Sequence, residues 1–221
     1  MILSVNTATH EGGVAVLRGE RMLAARTDAR GLAHSATLLA QIDALLKAAD
    51  TTLREVELFA VAVGPGSFAG LRTGLATVKA FAATLARPIV GVPTLHAIAG
   101  TAPSHSTLAL LGAGRGEVYA QLLSVASDGS MEELDEAWHV RPDILFERCR
   151  RLCPTLKFVG ADPAHERIIR EYADHHGIAF SDKDDKEEVG AENMWTVAAL
   201  PGPAALAEQA AALALATYRA G

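Results

Sequence analysis

Gly64-Pro65-Gly66-Ser67-Phe68-Ala69-Gly70-Leu71-Arg72-Thr73-Gly74 is the stretch whose reading decides the fold. Ahead of it, Leu58 to Val63 is a short, unbroken apolar run, the pattern of a strand covered on both faces. Behind it, a helical pattern extends from about Ser67 to Ala86, and Pro88 stops it. The stretch is therefore a strand-to-helix turn. Ser67 is placed to cap the helix, and Gly66 and Gly70 allow backbone geometry or a close approach that a Cβ would forbid. Two readings of Gly64, Gly66, Ser67, Gly70 and Arg72 stay open. They present free N–H groups at a helix start to a phosphate, or they let the helix lie tightly on a sheet. The motif is neither G-x-x-x-x-G-K-[ST] nor a strand followed by G-x-G-x-x-G, so it does not decide between them.

Outward from this turn, the N-terminal half reads as a meander followed by alternating helices and strands. Ile2–Val5, Gly13–Leu17 and Met22–Ala25 are strand-like, and the first turn between them, Asn6-Thr7-Ala8-Thr9, carries hydroxyls that suit either a phosphate or an ordinary Thr-rich turn. From Ser35, a candidate N-cap, Leu38, Leu39, Ile42, Leu45, Leu46 and Ala49 share one helical stripe. Ile89–Val92 is a further strand, and Pro93-Thr94 opens a helix through Leu95 and Ile98. A sheet with helices on it is the natural packing of such a series.

Gly100 to Ser106, small, polar and Pro-containing, is the linker candidate, dividing an N-terminal lobe over 1–103 from a C-terminal lobe over 104–221. The second lobe also opens strand–turn–strand: Thr107–Leu111, a turn over Gly112–Gly116, then Glu117–Val125. Ala137–Val140 and Leu156–Val159 are strand-like, Pro142–Arg151 and Glu166–Ala173 helical, Ser181–Glu192 a charged solvated loop, and Ala204–Tyr218 an alanine-rich closing helix.

Composition bounds the function. The 221 residues are half hydrophobic, with a mean hydropathy of +0.19, enough to bury a core in one domain or two small lobes. A net charge of −6 gives little grip on a phosphate backbone, so nucleic acid is expected only through partners. The start has no basic n-region and no apolar run reaches membrane-spanning length, which points to a cytoplasmic protein with no membrane contact. Cys149 and Cys153 lack the spacing of a zinc site and read as free thiols. No i, i+4 histidine pair exists for a metal, Ser67 fits no nucleophile motif, and Glu117 and Tyr119 share one strand face, as cross-strand packing explains.

The helix after the glycine turn has one more property. Leu71, Leu75, Val78, Ala82 and Leu85 form a stripe suited to covering the sheet. The opposite face, Thr73, Ala76, Thr77, Ala80, Ala83 and Thr84, carries no charge. The first helix likewise shows Ala36, Ala40 and Ala44 beyond its Leu/Ile stripe. These small faces either dock on another chain or bury against each other or the closing helix.

Together, the glycine motif, Asn6-Thr7-Ala8-Thr9, His34-Ser35, Gly91-Val92-Pro93-Thr94-Leu95 and Arg115-Gly116-Glu117-Val118-Tyr119 resemble the bacterial TsaB (YeaZ) family. The resemblance implies an α/β, two-lobed actin/Hsp70/sugar-kinase-like (ASKHA) fold, each lobe a mixed sheet with helices. It implies a non-catalytic accessory or scaffold subunit that binds TsaD, with the ATPase TsaE joining them, to form threonylcarbamoyladenosine at position 37 of tRNAs reading A-starting codons. It favours docking of the helix pair on a second copy, a homodimer in isolation, or on TsaD. No tightly bound cofactor is expected, only weak ATP or ADP at a complex interface.

Two departures bear on chemistry. Asn6 stands where the family usually has Asp, and Gly112-Ala113-Gly114 where it usually has Asp-Ala-Arg. Asn6, Thr7, Thr9, Gly112 and Gly114 thus read as degenerate phosphate-loop positions, because kinases and ATPases of this fold need acidic residues there for Mg²⁺. The C-terminal Pro-x-Tyr-Leu-Arg of the family is also missing from Tyr218-Arg219-Ala220-Gly221. The alternatives are a nucleotide-dependent phosphotransferase or ATPase of the same fold and, behind it, a glycoprotease-like metallopeptidase.

Overall fold

The computed structural model describes residues 1–27, 34–181 and 194–221, the side chains of 34–36 excepted. Ser35 as a cap, the Ala36 side chain and the charged run after Ser181 therefore lie outside the described residues. The chain forms two compact units, one of Met1–Ala97 with Gly202–Gly221, the other of Ile98–Pro201.

In the first unit, β1 (Ile2–Asn6), β2 (Gly13–Arg18) and β3 (Arg21–Thr27) form the meander. Then follow α1 (His34–Ala48), β4 (Leu58–Gly64), α2 (Phe68–Leu85) and β5 (Ile89–Pro93). The sheet order is β3-β2-β1-β4-β5, with β1 antiparallel to β2 and parallel to β4. Because side chains alternate across a strand, the two faces differ in size. Leu3, Val5, Val14, Val16, Phe59 and Val61 share a core with Leu38, Ile42 and Leu45 of α1 and Val78 and Ala82 of α2. The opposite parity carries Ser4, Asn6, Gly13, Ala15, Ala60 and Ala62, small residues for the most part. The closing helix α6 (Pro203–Ala220) covers that side, and a Cβ added to Gly13 would sit 2.0 Å from the Pro203 carbonyl oxygen. It buries Leu206, Ala207, Ala210, Ala211 and Ala214. Small residues on both partners permit this close approach.

The closing helix thus corrects the domain boundary. It was expected in a lobe spanning 104–221, yet it packs on the first sheet, and the other division falls inside α3 (Thr94–Ala99) rather than in the linker candidate. The stripe of α2 also shifts. Gly70, Gly74, Val78 and Ala82 are its buried line, while Leu71, Leu75 and Leu85 are half-buried flanks.

The second unit runs β6 (Thr107–Gly114), β7 (Glu117–Val125), β8 (Met131–Glu133), β9 (Trp138–Val140), α4 (Pro142–Leu152), β10 (Leu156–Ala161), α5 (Pro163–His175), β11 (Ala179–Ser181) and β12 (Met194–Ala199). Its order, β11-β12-β10-β6-β7-β8 with β9 also on β7, contains β8-β7-β6-β10-β12, which repeats the first sheet strand for strand. This is the two-lobed ASKHA topology. Phe146, Phe158, Tyr172 and Trp195 build an aromatic core, with the Phe158 and Trp195 rings 5.0 Å apart.

Beside that core, the Tyr172 hydroxyl donates to Glu147 at 2.7 Å, and Arg150 and Arg151 pair with the same carboxylate at 3.1 and 2.8 Å. Arg150 first, then Tyr172 and Arg151, hold the Glu147 carboxyl down to about 2. A depressed carboxylate contributes stability that is complete above its unfolded value and is lost as pH falls through the folded one. Side-chain carbon shifts followed by NMR should therefore show Glu147 still ionised at pH 3.5. A Glu147→Gln chain should lose less stability between pH 5 and pH 2 than the parent. An ordinary titration midpoint for Glu147 would contradict the network.

Candidate functional site

The glycine motif and the first turn close on each other. The Gly64–Pro65 peptide is cis. Ser67 N–H donates to the Ala8 carbonyl at 2.7 Å, and the Ser67 hydroxyl caps α2 by accepting Gly70 N–H at 3.2 Å. The Thr7 hydroxyl donates to the Gly70 carbonyl at 2.8 Å, the Asn6 side-chain oxygen accepts Ala8 N–H at 3.0 Å, and the Thr9 hydroxyl donates to the Glu11 carbonyl at 2.6 Å. Asn6, Thr7 and Thr9 are all buried. A Cβ on Gly66 would lie 2.3 Å from the Ala8 carbonyl oxygen, and one on Gly74 would lie 2.3 Å from Thr7 Oγ1. The polar groups of the turn are thus engaged with backbone, and Gly66 and Gly74 have a packing reason to be glycine. Arg72 is exposed on α2.

Gly112 and Gly114 belong to β6 rather than to a turn over 112–116. The reversal is made at Gly114, Arg115 and Gly116, all in the left-handed region with φ of +80°, +54° and +78°. Gly112 is exposed, and a Cβ there would meet His165 Cε1 of α5 at 3.5 Å. Asp162 caps α5 by accepting the N–H groups of Ala164 and His165. Glu117 pairs with His139 at 2.9 Å, and the Tyr119 ring packs tilted against the same imidazole with centroids 4.9 Å apart, which is cross-strand packing between β7 and β9. Burial pushes the Cys149 thiol up to about 12, so it is no nucleophile. Among the described residues no three His, Cys, Asp or Glu side chains gather in a metal-binding arrangement, and no helix is long and apolar enough to cross a membrane.

The small-residue face of α2 is open in the single chain. Ala76, Ala80, Ala83 and Thr84 are exposed, Thr73 and Thr77 half-buried, and the Thr73 and Thr84 hydroxyls donate back to the carbonyls of Ala69 and Ala80. These threonines therefore show mainly methyl groups. On α1, Ala40 is exposed and Ala44 half-buried. The two helices touch along one side, and α6 lies across the sheet from them, so the closing helix does not cover this face. Sequence reasoning passed over the largest apolar groups beside it, Phe68 at 80% exposure and Leu39 at 62%. Phe68 was read as part of the turn and Leu39 as part of the core stripe. Spacing gave no signal for Leu39, which stands three and seven residues before Ile42 and Leu46 of the same stripe.

Residues 29–151, over half the chain, match the family described as TsaD: tRNA N6-adenosine threonylcarbamoyltransferase. The tRNA threonylcarbamoyladenosine biosynthesis protein TsaB of Bacillus subtilis is 27% identical over 77% of this chain and 75% of its own length. Among solved structures, YeaZ from Pseudomonas aeruginosa superimposes with a TM-score of 0.70 at 23% identity, covering 98% of this chain and 90% of that one. A ROK hexokinase from Thermus thermophilus shares the fold at a TM-score of 0.53 and 10% identity, over 99% of both chains.

Proposed function

The chain belongs to the TsaB (YeaZ) group of the tRNA N6-adenosine threonylcarbamoyltransferase family, which serves threonylcarbamoyladenosine formation on tRNA, and from that premise we propose that it is the non-catalytic scaffold subunit of the process. In this reading, the open small-residue face of α1 and α2 docks on a TsaD homologue, and on a second copy of itself when TsaD is absent. A TsaE homologue joins the assembly, tRNA is met only through it, and the protein works in the cytoplasm. The observation that carries the proposal is the first turn. The groups that would face a phosphate, Asn6, Thr7 and Thr9, are buried and bonded to backbone. Where the family resemblance implies acidic metal ligands, this chain carries Asn6 at the end of β1 and Gly112 within β6.

Reconstitution tests it directly. Threonylcarbamoyl transfer to tRNA by the organism's TsaD and TsaE homologues should need this protein, and the protein alone should neither transfer the group nor hydrolyse ATP. Asn6→Asp should not create magnesium-dependent ATPase activity, because one carboxylate does not orient both metal and nucleophile. It should also lower stability, since the new charge would be buried. Metal-dependent turnover in the unaltered protein would move the reading to a phosphotransferase of the same fold.

A further inference from the structure

Charge is divided unequally between the two units. The first carries ten Lys and Arg against eight Asp and Glu, a net +2, and the second ten against eighteen, a net −8. Pairing differs as well. In the second unit Arg141, Arg148, Arg150, Arg151, Arg167 and Arg170 each form an ion pair with a carboxylate. In the first, only Lys47 and Arg219 do so among the described Lys and Arg residues. The overall charge of −6 therefore conceals a unit whose cations are mostly uncommitted.

Three of those cations share one face of a sheet edge. Among the described residues β3 pairs with β2 alone, placing Arg18 opposite Arg21 and Val14 opposite Arg26. Val14 and Val16 turn into the core under α1, and Arg18 has their parity on β2. All three arginines therefore leave from the α1 side of the edge. They are exposed, and Arg21 and Arg26 stand about 16 Å apart along the strand. Arg54, in the turn Leu53–Glu55 after α1, is exposed too. The charge of Glu55 in that turn reaches Arg18, which puts the turn beside the same edge, but its carboxylate accepts its hydrogen bonds from Thr51 and Thr52. Glu20, in the hairpin turn, is taken up by Arg219.

Like charges directly opposite each other destabilise a strand pair, so Arg18 and Arg21 carry a cost that an anion between them removes. Charged side chains also blunt a sheet edge against other strands, but alternating signs do that without the repulsion. The face offers no apolar anchor, since Met22, the exposed large apolar residue of β3, stands opposite Leu17 with the other parity. Protein partners bind through buried apolar or aromatic anchors, whereas a phosphate backbone asks only for a row of cations.

We propose that the edge formed by Arg18, Arg21 and Arg26, with Arg54 at its end, lies along the phosphate backbone of an RNA strand. The identity of that RNA, the tRNA of the assembly, rests on the scaffold reading. The contacts position the RNA without reading its sequence, and the net −8 of the second unit confines them to the first.

The test uses the full chain and a fluorescein-labelled tRNA transcript, followed by polarisation over a range of salt. Weak saturable binding is expected, with a dissociation constant on the order of 10–100 µM at about 50 mM salt and a slope of log K against log salt of about −3. Arg21→Gln and Arg26→Gln should each reduce that slope by about 1, alike for tRNAs of different sequence, while Lys79→Gln on α2 should leave it unchanged. Arg21→Gln should melt no lower than the parent, because it relieves the repulsion with Arg18. Both edge variants should still retain the TsaD homologue. Loss of RNA binding with retention intact therefore concerns the edge alone, and loss of retention in the parent with RNA binding intact concerns the scaffold reading alone. The proposal is overturned by no saturable binding at about 50 mM salt, by parental slopes in both edge variants, or by an equal drop in Lys79→Gln. Displacement of tRNA by polyglutamate of matched charge as effective as by unlabelled tRNA would also overturn it, making the edge a site for an acidic protein.

Discussion

An Ala80→Arg chain should fold like the parent, run as a monomer in light scattering and fail to retain the TsaD homologue. Ala80 is exposed on α2 between Ala76 and Thr84, and arginine is nearly as good a helix former as alanine, so the single chain loses at most a few tenths of a kcal/mol. In a seam of small side chains the same arginine has no room and no partner. Burying an unpaired charge costs on the order of several kcal/mol, and a symmetric dimer carries it twice. A cost of about 3 kcal/mol already weakens association by roughly a hundredfold. Loss of fold would show that the face is internal after all. A dimer that still binds TsaD would place the contact elsewhere, with Phe68 and Leu39 the next side chains to change.

Gly66→Val should be among the most destabilising single changes in the first unit. The new Cβ would lie 2.3 Å from the Ala8 carbonyl oxygen and 2.9 Å from the Ala8 carbonyl carbon and Cβ. Backbone cannot swing aside as a flexible side chain does, and Ala8 is further held by the bond from Ser67 N–H. Overpacking of this kind costs about 3 kcal/mol or more, which for a chain of this size lowers the melting temperature by roughly 6–12 °C. Gly19→Val provides the control. Gly19 has φ of +59° but nothing within 4 Å of its would-be Cβ, so it carries conformational strain without collision. Equal losses in the two variants would show that backbone conformation alone accounts for the effect.

Periodicity and turn residues made most elements legible. The run into Gly64, the helix behind Ser67 and the hairpin through Arg115-Gly116 all announce themselves by apolar pattern and breaker residues. The strands that escaped are β8, β11 and β12. The first two have three residues each, too few to show alternation, and β12 follows directly on a stretch that reads as charged loop. The α2 stripe was right at Val78 and Ala82 but misplaced by one position in its first half, where side-chain size was taken as the mark of burial, whereas Gly70 and Gly74 are buried for lack of a side chain. The place of α6 was illegible for a related reason. An alanine-rich helix fits any small-residue surface, and its mate is a set of alternate residues on β1, β2 and β4 that only the folded sheet brings together. At the candidate site, residue type marked the uncharged small-residue face of α2. It could not show that Thr7 and Asn6 are turned inward, because that depends on the contact between two turns about sixty residues apart.

The pairing of α6 with the first sheet also sets an order of events during synthesis. Strands β1 to β5 are complete once residue 93 has been made, yet one whole face of their sheet stays bare until residues 202–221 follow. Throughout that interval a surface of Ile2, Ala15, Leu17 and Ala60 is open to water and to other nascent chains. Closing it requires a loop across the entire second unit, an encounter between distant parts of the chain that slows maturation. Ribosome-bound chains arrested before residue 202 should accordingly be protease-sensitive in the first unit and depend on chaperone cover, and release of the last helix should end both.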